Sequence, residues 1–184
     1  MLLLSEGDNY FRGRRECEEV VVQNDHIFAR WSPWREVQVS TWLIPCGDWH
    51  LRVHRIHTAR ELHSVEGGFA VMKADPQPLL KDSHKGCCVV AENGVSAIVC
   101  LSPQQQREAD CVVTPPNSSV MFAECAAIPM LQTTLPAGEH WLACAVQASL
   151  SHRDFNSVIP ELTIKPDHIQ VNTQEQNTII TFAR

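Results

Sequence analysis

The chain has 184 residues, enough for one large domain or two small ones, and 44% of them are hydrophobic at a mean hydropathy of -0.15, ordinary for a soluble globular protein. A formal charge of -6 and a pI near 5.8 lack the basic excess that a nucleic-acid partner calls for. No apolar run nears the roughly 18 residues of a membrane span, and Met1-Leu2-Leu3-Leu4 is too short for a signal-peptide core, so the expectation is a cytoplasmic protein with neither membrane nor nucleic acid as partner.

In chain order, residues 1–15 turn polar after the first leucines and read as a loosely anchored opening segment, with a single β-rich domain expected over 16–184. Glu16 to Val22 and His26 to Trp31 read as strands around Gln23-Asn24-Asp25, and Ser32-Pro33 is expected to break the pattern. Arg30 to Val71 then holds four of the five tryptophans and the densest chemistry. Within it Glu36 to Ile44 and Trp49 to Thr58 alternate apolar and polar residues about Pro45-Cys46-Gly47-Asp48, the pattern of a β-hairpin. A four-residue loop there pairs Ile44 with Trp49 and Trp42 with Leu51, giving one aromatic-aliphatic face. The other face sets Leu43, Val39 and Val37 beside His50, Arg52 and His54.

Ala59 to Ser64 reads as a connection, Glu66-Gly67-Gly68 as a place for close backbone approach or positive φ before a short strand Phe69 to Met72, and Asp75 to Lys85 as a surface loop. Cys87 to Leu101 is two apolar runs about Asn93-Gly94, a preferred hairpin turn, which puts Cys87 opposite Cys100 and makes a cross-strand disulfide conceivable. Pro103 to Asp110 allows one helical turn. Strand-like runs then recur at Cys111 to Val113, Val120 to Cys125, Ile128 to Leu135, His140 to Leu150, Ile159 to Ile164, His168 to Val171 and Thr178 to Phe182. Many short strands with closely spaced turn signals indicate an all-β antiparallel sandwich or stacked sheets.

Eight cysteines without a CxxC pair read as reduced core thiols. His50, Arg52 and His54 project from one strand face at steps of about 6.6 Å. Long polar side chains between layers are often simply paired, here in an inter-sheet network satisfied by carboxylates such as Glu66 or Glu36; the three also suit a row that binds an anion or a sugar, with Arg52 offering a planar fork of donors. His50 and His54, about 13 Å apart along a strand, cannot share one zinc, and no metal or cofactor is expected. Trp42 and Trp49 occupy core positions, while Trp31 and Trp34 flank Pro33 as surface candidates for stacking on a sugar. Neither a nucleophile elbow nor a phosphate-binding loop is present.

The runs WSPW, TWLIP, WHLRVHRI and EGGFA, in that order and spacing between Trp31 and Ala70, resemble the carboxy-terminal part of the family "domain of unknown function 2264". The resemblance implies a β-rich half that works beside a helical toroid domain like those of polysaccharide lyases. It implies an acidic oligosaccharide as ligand, held partly by His50, Arg52, His54 and Glu66, with this half catalytically silent alone. It brings no catalytic residues. The alternative is a structural or interaction domain without a ligand.

Overall fold

A computed structural model describes residues 2–7, 9–10, 17–72, 74–77, 86–91, 94–101, 107–114, 126–150, 158–174 and 177–182. Among these there is no helix, and the strands form three antiparallel sheets, so the all-β reading holds.

The eight-stranded sheet is the middle layer. Its order is β3 (Cys17–Val22), β4 (Ile27–Trp34), β5 (Val37–Cys46), β6 (Trp49–Thr58), β14 (Gly138–Ser149), β11 (Gly94–Cys100), β10 (Gly86–Ala91) and β9 (Ala74–Gln77). On one face Trp42, Ile44, Trp49, Leu51 and Val53 pack with Ile169, Val171 and Ile180 of the three-stranded sheet, β15 (Glu161–Ile164), β16 (His168–Asn172) and β17 (Asn177–Thr181). The opposite face meets the six-stranded sheet. That sheet runs β12 (Glu108–Thr114), β13 (Ala126–Leu135), β7 (Leu62–Gly67), β1 (Leu2–Glu6) and β2 (Asn9–Tyr10), with β8 (Val71–Met72) also on β13.

Two apolar clusters fill this second interface. Leu2, Leu4, Leu62 and Leu135 pack on Trp31, Val39, Ile56 and Leu142, while Val71, Ala127 and Leu131 pack on Val89, Ile98, Cys144 and Val146. Each large aliphatic side chain enclosed here contributes about 1.5–3 kcal/mol.

The central hairpin forms, but two residues out of the expected register. Cys46 pairs with Trp49 and Ile44 with Leu51, across a two-residue turn in which Gly47 takes φ 59°. Hydrogen-bonded and non-bonded pairs alternate along an antiparallel ladder. With Cys46 and Trp49 closing the hairpin, Pro45 opposite His50 needs no donor, so the strand runs through the proline. A slip of two preserves every side chain's face.

Other expectations are corrected. Leu2–Glu6, expected in a loose opening segment, is a strand paired along β7 with Leu2 and Leu4 buried, because its apolar residues complete a core cluster. β4 passes through Ser32 and Pro33: the register moves from Trp31 opposite Val39 to Trp34 opposite Val37, and this bulge absorbs the proline. Leu62 begins a strand inside the expected connection, and Asp75, Pro76 and Gln77 of β9 pair with β10 inside the expected loop. Residues 78–85 of that loop lie outside the described set, as do 103–106 of the expected helical turn, but Glu108–Asp110 are extended. Val120 to Cys125 also lies outside it.

The second hairpin pairs Ala91 with Gly94, which sets Cys87 opposite Ile98 and Cys100 opposite Cys144, so the expected cross-strand partners do not meet. Gly94 sits in the strand because a Cβ there would stand 2.3 Å from the Ser149 carbonyl oxygen. The seven described cysteines are thiols.

Candidate functional site

β6 crosses the interface between the two larger sheets, and pleating sends His50, Arg52, His54 and Ile56 to the six-stranded side. The four sit at different depths. His50 is exposed, Arg52 is half-buried, and His54 and Ile56 are enclosed.

The enclosed end is a polar cluster set between the two apolar ones. His54 Nε2 stands 3.0 Å from Glu66 Oε1, and Arg107 Nη1 donates to Glu66 Oε2 at 3.0 Å. Glu66 is wholly buried, and the Arg107 side chain is equally enclosed. Arg107 Nη2 also donates to the Leu131 carbonyl at 3.3 Å, while its Nε has no partner among the described residues. On its other side His54 Nδ1 lies 2.9 Å from Thr41 Oγ1, which accepts the Trp31 indole N–H at 3.4 Å. With Nε2 as donor to the carboxylate, Nδ1 can accept the threonine hydroxyl, so every polar atom of the imidazole is used.

Burial is the strongest influence on the Glu66 carboxyl and pushes it up, yet His54, Arg107 and the Cys144 thiol together pull it well below the usual carboxylate range. Burial, then the Glu66 charge, pushes the Cys144 thiol well above its ordinary value. That thiol donates to Glu66 and is a poor nucleophile. This cluster braces the sheets and offers no group to an outside molecule.

The open end has a different character. Arg52 Nη1 donates to the Gly67 carbonyl at 2.6 Å, and its guanidinium lies 5.9 Å from the Phe69 ring centroid. The backbone of Gly67 and Gly68 runs against β13, where the Gly68 N–H donates to the Pro129 carbonyl at 2.8 Å. A Cβ on Gly68 would meet the Pro129 ring at 2.9 Å, so close approach is the reason for this glycine. Phe69 is thereby held beside Arg52, with its own N–H on Ser96 Oγ at 3.2 Å. His50, Arg52 and Phe69 form a lip that continues into Leu43, Ile27 and Val22, which are 41%, 40% and 73% exposed on the same face.

Of the residues expected to touch a ligand, only His50 and Arg52 are therefore on the surface together. Trp31, expected at the surface, is 7% exposed because the bulged β4 turns it into the apolar cluster, and Trp34 packs half-buried against that cluster. His54 and Glu66 lie behind the lip. Sequence reasoning missed Arg107, which sits in a polar stretch with no pattern to mark it, and Phe69 as the partner of Arg52. Among the described residues no three His, Cys, Asp or Glu side chains gather as metal ligands.

A family model described as the DUF2264 C-terminal domain matches residues 1–158. No curated protein matches the chain significantly by sequence. In fold the chain is similar to the heparan sulfate lyase HepC from Pedobacter heparinus, with a TM-score of 0.67 to a mutant and 0.63 to the unmutated enzyme at 8% and 9% identity. It is also similar to the heparinase III product BT4657, with a TM-score of 0.63 at 6% identity. Each likeness covers 97% of this chain and 29% of the lyase, so the chain spans under a third of those proteins' length. At such identities the likeness is one of fold.

Proposed function

Since the chain belongs to the DUF2264 family through that family's C-terminal domain, we propose that it is the β-rich part of a larger polysaccharide lyase-like protein and supplies one wall of an acidic-sugar site. The observation that carries this reading is the fold shared along 97% of the chain with lyases of which it makes up 29%. The wall is the lip of His50 and Arg52 beside Phe69. Arg52 keeps donors beyond the one spent on Gly67, a fork suited to a uronate carboxylate or a sulfate, and Phe69 offers a flat apolar surface to a sugar ring. His54, Glu66 and Arg107 are positioning residues that hold β6 against β7. The remainder of the larger protein, a helical toroid in this reading, supplies the opposite wall and the reacting groups, so this part alone binds without turning over.

A two-dimensional amide spectrum of the chain, titrated with a heparan sulfate oligosaccharide and a neutral oligosaccharide of equal length, tests the reading. The expected result is saturable shifts for His50 to Phe69 with the acidic sugar only, weakened about tenfold by Arg52→Ala, the loss of one charge-assisted contact. A dispersed spectrum that ignores every acidic sugar sinks it. That outcome favours a second reading, an interaction domain without a ligand, which the exposed apolar row Val22, Ile27 and Leu43 supports.

A further inference from the structure

Among the described residues, the three-stranded sheet packs on the part of this face that carries Ile44, Trp49, Leu51 and Val53 and continues over Ala145 and Val99. Past Trp42 and Val53 the same face continues in two rows that run across the strands in register. One row is Arg30, Ser40, Arg55 and Trp141, and the next is Gln38, His57 and Glu139. Six of these side chains line an open concavity of about 320 Å³: Arg30, Gln38, Ser40, Arg55, His57 and Glu139.

Both guanidiniums lie over aromatic rings. Arg55 lies over Trp141, 5.6 Å from the ring centroid, and donates from Nη2 to Glu139 at 2.6 Å. Arg30 lies over Phe28 at 5.7 Å, with Glu19 3.3 Å from its Nη1. The rings beneath are themselves locked together: Trp42 sits 5.1 Å from Phe28, 5.6 Å from Trp141 and 5.0 Å from Phe182. Arg30 and Arg55 stand two strands apart, so their Cα atoms are about 10 Å from each other with a hydroxyl between. A pair of forks at that spacing, over an aromatic floor and beside an amide, an imidazole and a carboxylate, is a mixed set of donors and acceptors. A bare multivalent anion would be repelled by Glu139. A sugar would use Glu139 as an acceptor for its hydroxyls.

We infer that this grid is a second saccharide site on the opposite face of the sheet, taking an anionic sugar whose carboxylate or sulfate lies between Arg30 and Arg55 while its hydroxyls meet Ser40, Gln38 and Glu139. It rests on the acidic-sugar reading above for the class of ligand alone; the residues are different. Two sites on one sheet hold a long acidic polymer at two points, and the second event is then intramolecular.

The test is the amide spectrum of the whole chain titrated separately with a heparan sulfate oligosaccharide, a neutral oligosaccharide of equal length and inorganic sulfate. The two faces are read apart, through Arg52 and Gly67 to Phe69 on one and through Ser40, Arg55 and His57 on the other. The expected result is saturable shifts at Ser40, Arg55 and His57 with the acidic sugar. The Arg30→Ala/Arg55→Ala pair weakens them about tenfold or more, and with an oligosaccharide too short to reach both faces of the sheet Arg52→Ala leaves them unchanged. If the double variant loses its peak dispersion, Arg55→Lys, which keeps the charge and loses the fork, gives the same readout. Shifts confined to the Arg52 face, a patch that answers inorganic sulfate as strongly as the sugar, or equal shifts with the neutral sugar each overturn the inference. Shifts at the patch with none at Arg52 uphold it and sink the proposed wall instead.

Discussion

β6 carries basic residues on both of its faces, and the two faces use them in opposite ways. On one side His54 and its partners Glu66 and Arg107 are shut between sheets, and the three side chains are tied to one another through the Glu66 carboxylate. On the other side Arg55 and His57 face solvent, and Arg55 pairs with a Glu139 that is itself 44% exposed. The ion pairs have comparable lengths, so distance does not separate them. Solvent does. Without water the enclosed charges must satisfy one another, and losing one partner strands the rest. In water the exposed pair is weakly coupled, which leaves its groups free to exchange a neighbour for a ligand.

The sharpest way to break this contrast is to remove the anion from the enclosed cluster. Glu66→Ala leaves the Arg107 guanidinium buried without its carboxylate and strips His54 and Cys144 of their acceptor. The expected loss is about 3–5 kcal/mol by urea denaturation, a large share of a typical domain's stability. A loss below about 1 kcal/mol, the surface range, would mean that water reaches the cluster.

Acid provides the next largest effect. The folded-state pKa of Glu66 is depressed, so its contribution is fully present above the unfolded glutamate value of about 4.3 and is lost as pH falls from there towards the folded value. Across that window the stability of the wild type should fall relative to Glu66→Gln by about 1.4 kcal/mol per pH unit, so the gap between them narrows. Denaturation curves for the two at a series of pH values from neutral to about 3 give the comparison. Parallel curves would contradict the assignment.

How much of this was legible beforehand follows from what each feature depends on. Alternation is a property of neighbouring residues, so the two faces of β5 and β6, the row His50, Arg52, His54 and even Glu66 as a structural partner could be read from the chain. Register depends on where a turn closes. Gly94 resembles a turn residue but is required by the approach of the Ser149 carbonyl from another strand, and Pro45 stays in its strand because the ladder asks nothing of its nitrogen. Arg107 meets Glu66 across 41 residues, and nothing local distinguishes it from any exposed arginine. A proline two positions on marks Trp31 as a surface residue by local pattern alone, whereas a bulge carries the strand past it.

The smallest effect expected is the coupling of Arg55 to Glu139, and it is the one that decides whether the open face is as loose as its exposure implies. A double-mutant cycle of Arg55→Ala and Glu139→Ala should return about 0.2–1 kcal/mol at low salt, shrinking as salt approaches about 1 M, where charges are screened within roughly 3 Å. The Trp141 ring under Arg55 stays in both halves of the cycle, so its packing with the arginine stem cancels and the ion pair is left. A salt-insensitive coupling above about 2 kcal/mol would put the pair in the class of the enclosed cluster. Arg55 would then be a fixed part of the sheet surface, and a ligand would have to displace Glu139 at a cost that the exposed groups around it do not offset.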